Sequence, residues 1–146
     1  MNPQALGRPL LPRSALALMI ATSGLAQSAN EKSVDAEGIN YFEAHVRPLL
    51  SKHCFKCHSE KAEKLKAGLY LDSKAGILQG SESGKIIVPG KAEESLLIKA
   101  VRYQVEDLEM PPKKKLPAFA IDQLAEWINR GAPMPEDGAK IAESGP

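Results

Sequence analysis

The chain has 146 residues, 43% of them apolar, 5% aromatic and 25% charged, and only two cysteines, Cys54 and Cys57. That length suits one domain, two cysteines cannot build a disulfide-rich scaffold, and no apolar run reaches the roughly 18 residues of a membrane-spanning helix. Nineteen basic side chains against 18 acidic ones exclude a bulk affinity for nucleic acid, so none is expected among the partners.

Residues 1–26 read as a cleavable export signal. Arg8 and Arg13 give a positive start with no acidic residue, Ser14 to Ala21 is apolar, and the small residues Gly24 and Ala26 suit cleavage before Gln27. The apolar stretch is short for a retained anchor, so no membrane span is expected after cleavage. The remaining 120 residues carry 17 basic and 18 acidic side chains. They belong in the periplasm or another exported, oxidising compartment. All seven aromatics fall between Tyr41 and Trp127. They bracket a folded domain predicted at 39–133, after a disordered lead-in at 27–38 and before a polar tail at 134–146.

Within the domain, Asn40 is predicted to cap a helix through Tyr41, Phe42, Ala44 and Val46, with Glu43 in capping-box position. Pro48 should interrupt or kink it, and Leu49 and Leu50 continue a short turn toward Cys54. Gly68, Gly76, Gly80, Gly84 and Pro89-Gly90 make Lys61 to Gly90 mostly loop, with a brief extended piece at Leu69–Leu71. Glu94 to Tyr103 reads as a helix with Ser95 in its first turn. The last helix is the clearest: Ile121, Leu124, Ala125 and Ile128 recur at helical spacing beside Trp127, and Arg130, Gly131 and Pro133 end it. Phe42 is expected to pack on Trp127 and Leu124. No repeat is present and nothing suggests a closed sheet, so the fold class is all-α with a loop-rich middle.

Cys54-Phe55-Lys56-Cys57-His58 is a C-x-x-C-H sequence, the attachment site of one covalent haem c. Two thiols on one helical turn can add to the two haem vinyl groups as thioethers, and the next residue, His58, then offers an imidazole as the proximal ligand. A structural zinc site would need four ligands, and only His45 and His53 could assist. A thioredoxin-like redox pair would want a βαβ context, and a plain disulfide leaves His58 unexplained.

A second axial ligand of the thioether type raises the reduction potential. Met1 and Met19 leave with the signal. Met110 precedes Pro111-Pro112, whose restricted backbone can hold a thioether at a fixed depth. Met134, between Pro133 and Pro135, is the rival, with an exposed linker methionine as its plainer reading. His45 or His53 would instead give a bis-His haem of lower potential. A backbone carbonyl should accept the proton on the other nitrogen of His58, though the sequence does not name it. Leu69, Leu71, Ile87 and Leu97 are candidates for lining the pocket.

From Tyr41 to Ala132 the chain resembles the Planctomycete-type cytochrome c domain. The matching stretches are Val46-Arg-Pro-Leu-Leu50 leading into Cys54–His58, Gly68-Leu-Tyr-Leu-Asp-Ser73, Ser83-Gly84, Val88-Pro-Gly90, Ser95-Leu-Leu97, Met110-Pro-Pro112, and Ile121 to Ile128 ending at Gly131-Ala132. The resemblance implies a small class I cytochrome c-like fold, with N- and C-terminal helices crossing around the haem and His58 and Met110 as axial ligands. The sequence departs from the family in carrying Ala67-Gly68 where two glycines are usual, and Pro117-Ala-Phe-Ala120 where the last helix usually starts polar and acidic.

A small exported domain with one haem and no accompanying catalytic constellation points to an electron carrier rather than an enzyme. Lys52, Lys56, Lys61, Lys64 and Lys66 around the haem motif, with Lys113–Lys115 after the methionine loop, would form a positive collar for acidic redox partner proteins; an ordinary solvated surface is the plainer reading. The alternative is a peroxidase-like or ligand-binding haem protein with an open sixth site, for which only Glu106, Asp107 and Glu109 offer nearby acid–base groups. A tethering module for a larger secreted partner is a third reading. The sequence leaves the oligomeric state, the partners and the potential open.

Overall fold

The computed structural model describes residues 35–137. The export signal at 1–26, residues 27–34 of the lead-in and residues 138–146 of the tail lie outside the described residues. Within them the protein is helical and has no strand; one isolated antiparallel bridge joins Ser81 to Gly84. No helix among them is long and apolar enough to cross a membrane.

The chain is already helical from residue 35 to residue 41 (α1), so 35–38 are not a disordered lead-in and Asn40 is not a cap. Gly38 is required here, because a Cβ would come within 2.4 Å of the Pro133 ring. Glu43 does not fold back onto the helix start; its carboxylate takes the Arg47 guanidinium at 2.6 and 2.8 Å. A π-turn over Phe42–Val46 follows, closed by the Arg47 amide on the Phe42 carbonyl, and α2 runs on over Arg47–His53. The regular α pattern thus changes just before Pro48, as the proline predicted, although the chain stays helical through it. Pro48 stands in the first turn of α2, and the widened turn before it accommodates the ring.

Leu69–Leu71 pairs with no strand, and the segment after it holds a helix the glycines concealed: α3, Lys74–Gln79. Ser73 caps it, its hydroxyl accepting the Gly76 amide at 3.0 Å. Gly76 is not a breaker but a close approach, since a Cβ there would lie 2.4 Å from the Tyr70 Cβ. The predicted helix at Glu94–Tyr103 divides into a 3-10 turn, Ala92–Glu94, and α4, Leu96–Val101. Ser95 joins them from a fully buried position, accepting the Val88 amide and donating to the Lys91 carbonyl, both at 2.9 Å.

The last helix, α5, spans Ala118–Asn129 with Pro117 at its N-cap. It ends as predicted: Gly131, at φ +95°, donates to the Ile128 carbonyl, and Ala132 donates to that of Trp127. The turn sends the chain back along α5, where the Trp127 indole N–H holds the Pro133 carbonyl at 2.9 Å. As a result the predicted polar tail begins packed. Met134 is only 6% exposed, and Asp137 accepts the amides of Lys74 and Ala75 at the start of α3.

The core lies where the two ends of the domain meet. Phe42 and Trp127, both 0% exposed, pack with ring centroids 5.4 Å apart. Around them Val46, Leu50, Ile98, Val101, Leu124 and Ile128 are buried in one cluster. α5 also packs on the 3-10 turn and α4, and its Asn129 side chain accepts the Ala92 amide at 3.0 Å. This braces the middle segments that carry the site.

Candidate functional site

The end of α2 delivers the cysteines. Its last turn closes with the Cys54 amide on the Leu50 carbonyl at 2.8 Å, and the Cys57 and His58 amides then both donate to the Cys54 carbonyl at 3.0 Å. The C-x-x-C-H segment is thus one tight turn at a helix C-terminus, with both thiols and the imidazole brought round on it. Two further bonds fix it from the following loop: Lys66 N–H to the Cys57 carbonyl at 3.0 Å, and Leu71 N–H to the His58 carbonyl at 2.9 Å.

Cys54, Cys57 and His58 line one cavity of about 290 Å³, and Met110 lines the same cavity. Leu69, Leu71, Ile86, Leu96, Leu97 and Leu108 supply its apolar walls, with His53, Lys66, Ser81 and Ser83 among the polar lining. Met110 is tied to the end of α4, its amide donating to the Ala100 carbonyl at 3.1 Å, with Pro111 and Pro112 beside it on the wall. Ile87 is displaced from its expected place: Ile86 faces this cavity instead, and Ile87 lines a second one.

That second cavity is larger, about 610 Å³, but no cysteine or histidine lines it. Met134 belongs there, with Ile77, Leu78 and Pro133, and not with Cys54, Cys57 and His58. His45 is exposed and faces Gln123 at 3.3 Å, whereas His53 lines the smaller cavity. Glu106, Asp107 and Glu109 do not line it.

The electrostatics suit an uncharged interior. Burial pushes the Cys54 thiol up to about 11, with the neighbouring Cys57 adding to the effect. Burial also lowers the His58 imidazole below its usual range, offset in part by the backbone of Leu69 and then of Lys66. The ring is 9% exposed, and its Nδ1 is buried without a hydrogen-bond partner. The backbone of Leu69 and of Lys66 lies near the ring, but neither hydrogen-bonds its Nδ1. Both cysteines are free of a disulfide.

These residues fit a covalently attached haem: two adjacent thiols, an imidazole with an orphaned second nitrogen, and a thioether on one apolar cavity. Residues 54–114 match the family model described as Planctomycete cytochrome C. Over that stretch the chain is similar to the Planctomycete cytochrome c family. The matched stretch opens on Cys54 and closes four residues after Met110, so it contains every lining residue of the smaller cavity except His53. No curated protein and no solved structure matches the chain.

Proposed function

We propose that the protein is an exported mono-haem c-type cytochrome that carries electrons. Cys54 and Cys57 would hold one haem c as thioethers, and His58 and Met110 would ligate its iron. The observation that carries this reading is the convergence of Cys54, Cys57, His58 and Met110 on a single apolar cavity. The haem supplies a reversible one-electron couple. The two thioethers retain it outside the cell, where lost cofactor is not readily replaced. His58 presents its imidazole from a turn fixed at both ends. The thioether of Met110 would favour the reduced state and raise the potential, and the leucine walls would pack on the faces of the macrocycle. The class I-like crossing of first and last helices is supported by the Phe42–Trp127 contact. The composition of residues 1–26 supports export.

Exposed lysines stand on the segments that build the cavity mouth: Lys52 and Lys56 beside the cysteines, Lys66 on the wall, and Lys113–Lys115 after Pro112. They are the proposed docking surface for acidic redox proteins. The deciding experiment is expression with haem-attachment machinery, followed by absorbance spectra of both oxidation states for the wild type and Met110→Ala. Covalent haem, and a weak long-wavelength sulfur-to-iron band lost in the variant, are expected. An unchanged variant spectrum would move the sixth ligand elsewhere, and failure of haem to attach would overturn the reading.

A further inference from the structure

We infer that Tyr103 is a positioning residue for Met110, its phenol clamping the segment that presents the thioether to the cavity; the inference rests on the ligand role proposed for Met110. After α4 ends at Val101 the chain has to reverse to bring Met110 back to the cavity wall. Two hydrogen bonds from the end of α4 fix the return. The Met110 amide donates to the Ala100 carbonyl at 3.1 Å, the same oxygen that takes the Tyr103 amide at 3.1 Å. The Tyr103 hydroxyl donates to the carbonyl of Pro111, the residue directly after Met110. Met110 is therefore held on both sides, by its own N–H and by the next carbonyl, and both holds lead to the four residues Ala100–Tyr103 around the α4 terminus.

The backbone of Tyr103 adds a second, independent sign. At φ +61° it occupies the left-handed region, which bulky L-residues avoid and glycine or asparagine enter readily. A tyrosine kept in that conformation is there for its side chain, and the side chain's hydrogen bond goes to the methionine segment. The Lys115 ammonium lies 5.6 Å from the ring centroid and covers the phenol from the following loop. Ala100, Met110 and Pro111 all line the cavity, so a shift of this clamp moves the wall on which the thioether is carried.

The test uses the haem-loaded protein and two variants, Tyr103→Phe, which deletes only the hydroxyl, and Tyr103→Asn, which suits the left-handed backbone but is too short to reach Pro111. Imidazole added from solution competes with Met110 for the oxidised iron. Both variants should bind imidazole about fivefold more tightly than the wild type, the consequence of losing one hydrogen bond, and should show a weaker sulfur-to-iron band. A merely structural role would lower the melting temperature and leave imidazole affinity alone. Wild-type affinity in both variants, with the band intact, would overturn the inference while Met110→Ala still loses the band. An unchanged Met110→Ala spectrum would overturn both this inference and the ligand assignment beneath it.

Discussion

Ala67 and Gly68 stand side by side in left-handed backbone, at φ +54° and +59°. Their turn carries the chain from Lys66, bonded to the cysteine turn, into Leu69 and Leu71 on the cavity wall. Two consecutive left-handed residues explain why the family usually has two glycines here, and why the alanine is the strained member. Left-handed backbone costs an L-residue about 1–2 kcal/mol, and glycine returns part of that through the greater freedom of the unfolded chain. Ala67→Gly should therefore stabilise the protein by about 0.5–1 kcal/mol, read as a midpoint raised by a few degrees in thermal unfolding. A lowered midpoint would show that the strain of this turn is relieved elsewhere. The departure from the family was visible in the sequence; its physical meaning needed the two dihedral angles.

At the scale of elements, the sequence was most informative where one residue serves one purpose. The apolar spacing of α5 and the stop at Gly131 were legible because both depend on neighbours in the chain. α3 was hidden because Gly76 in its middle reads as a breaker, while its actual reason is a close approach by Tyr70, six residues back, outside any helical spacing. Pro48 marked a change of helical pattern but not its form: a π-turn absorbs it, and no local pattern announces a π-turn. Met134 read as an exposed linker because its partners come from α3 and the 85–89 segment, far off in sequence. The pairing of α5 with the first helix was foreseeable from few aromatics having to meet, and Trp127 is its centre. Its ring is fully buried on Phe42, and its indole N–H holds Pro133. Trp127→Ala should cost roughly 3–5 kcal/mol, measured by denaturant unfolding of the haem-loaded protein. Near-wild-type stability would mean that the first and last helices do not hold each other through this contact.

For the molecule as a whole, charge balance and charge placement make opposite demands. Without residues 1–26 the polypeptide carries a formal charge of −1, yet the exposed lysines at 52, 56, 66 and 113–115 belong to the segments that frame the cavity. Several acidic groups are engaged away from it, Glu43 with Arg47, Glu93 with Arg102 and Glu126 with Arg130. A small anionic oxidant separates the two descriptions. Ferricyanide is a trianion, and a protein behaving as a weak anion would repel it, so that added salt would speed their reaction by screening. If the oxidant meets the lysines around the cavity instead, the encounter is attractive and salt slows it, with most of the change below about 0.15 M, where the screening length exceeds about 8 Å. The rate of oxidation of the reduced protein by ferricyanide should accordingly fall with ionic strength, and replacing Lys113, Lys114 and Lys115 together by glutamate should reverse the sign of that dependence. A wild-type rate that rises with salt would remove the collar as a docking surface and leave net charge to govern the encounter. The lysines were legible in the sequence as two runs. That their segments meet at one cavity depends on the return of Met110 to the end of α4, and the ferricyanide rate measures whether the proposed collar is what a redox partner meets.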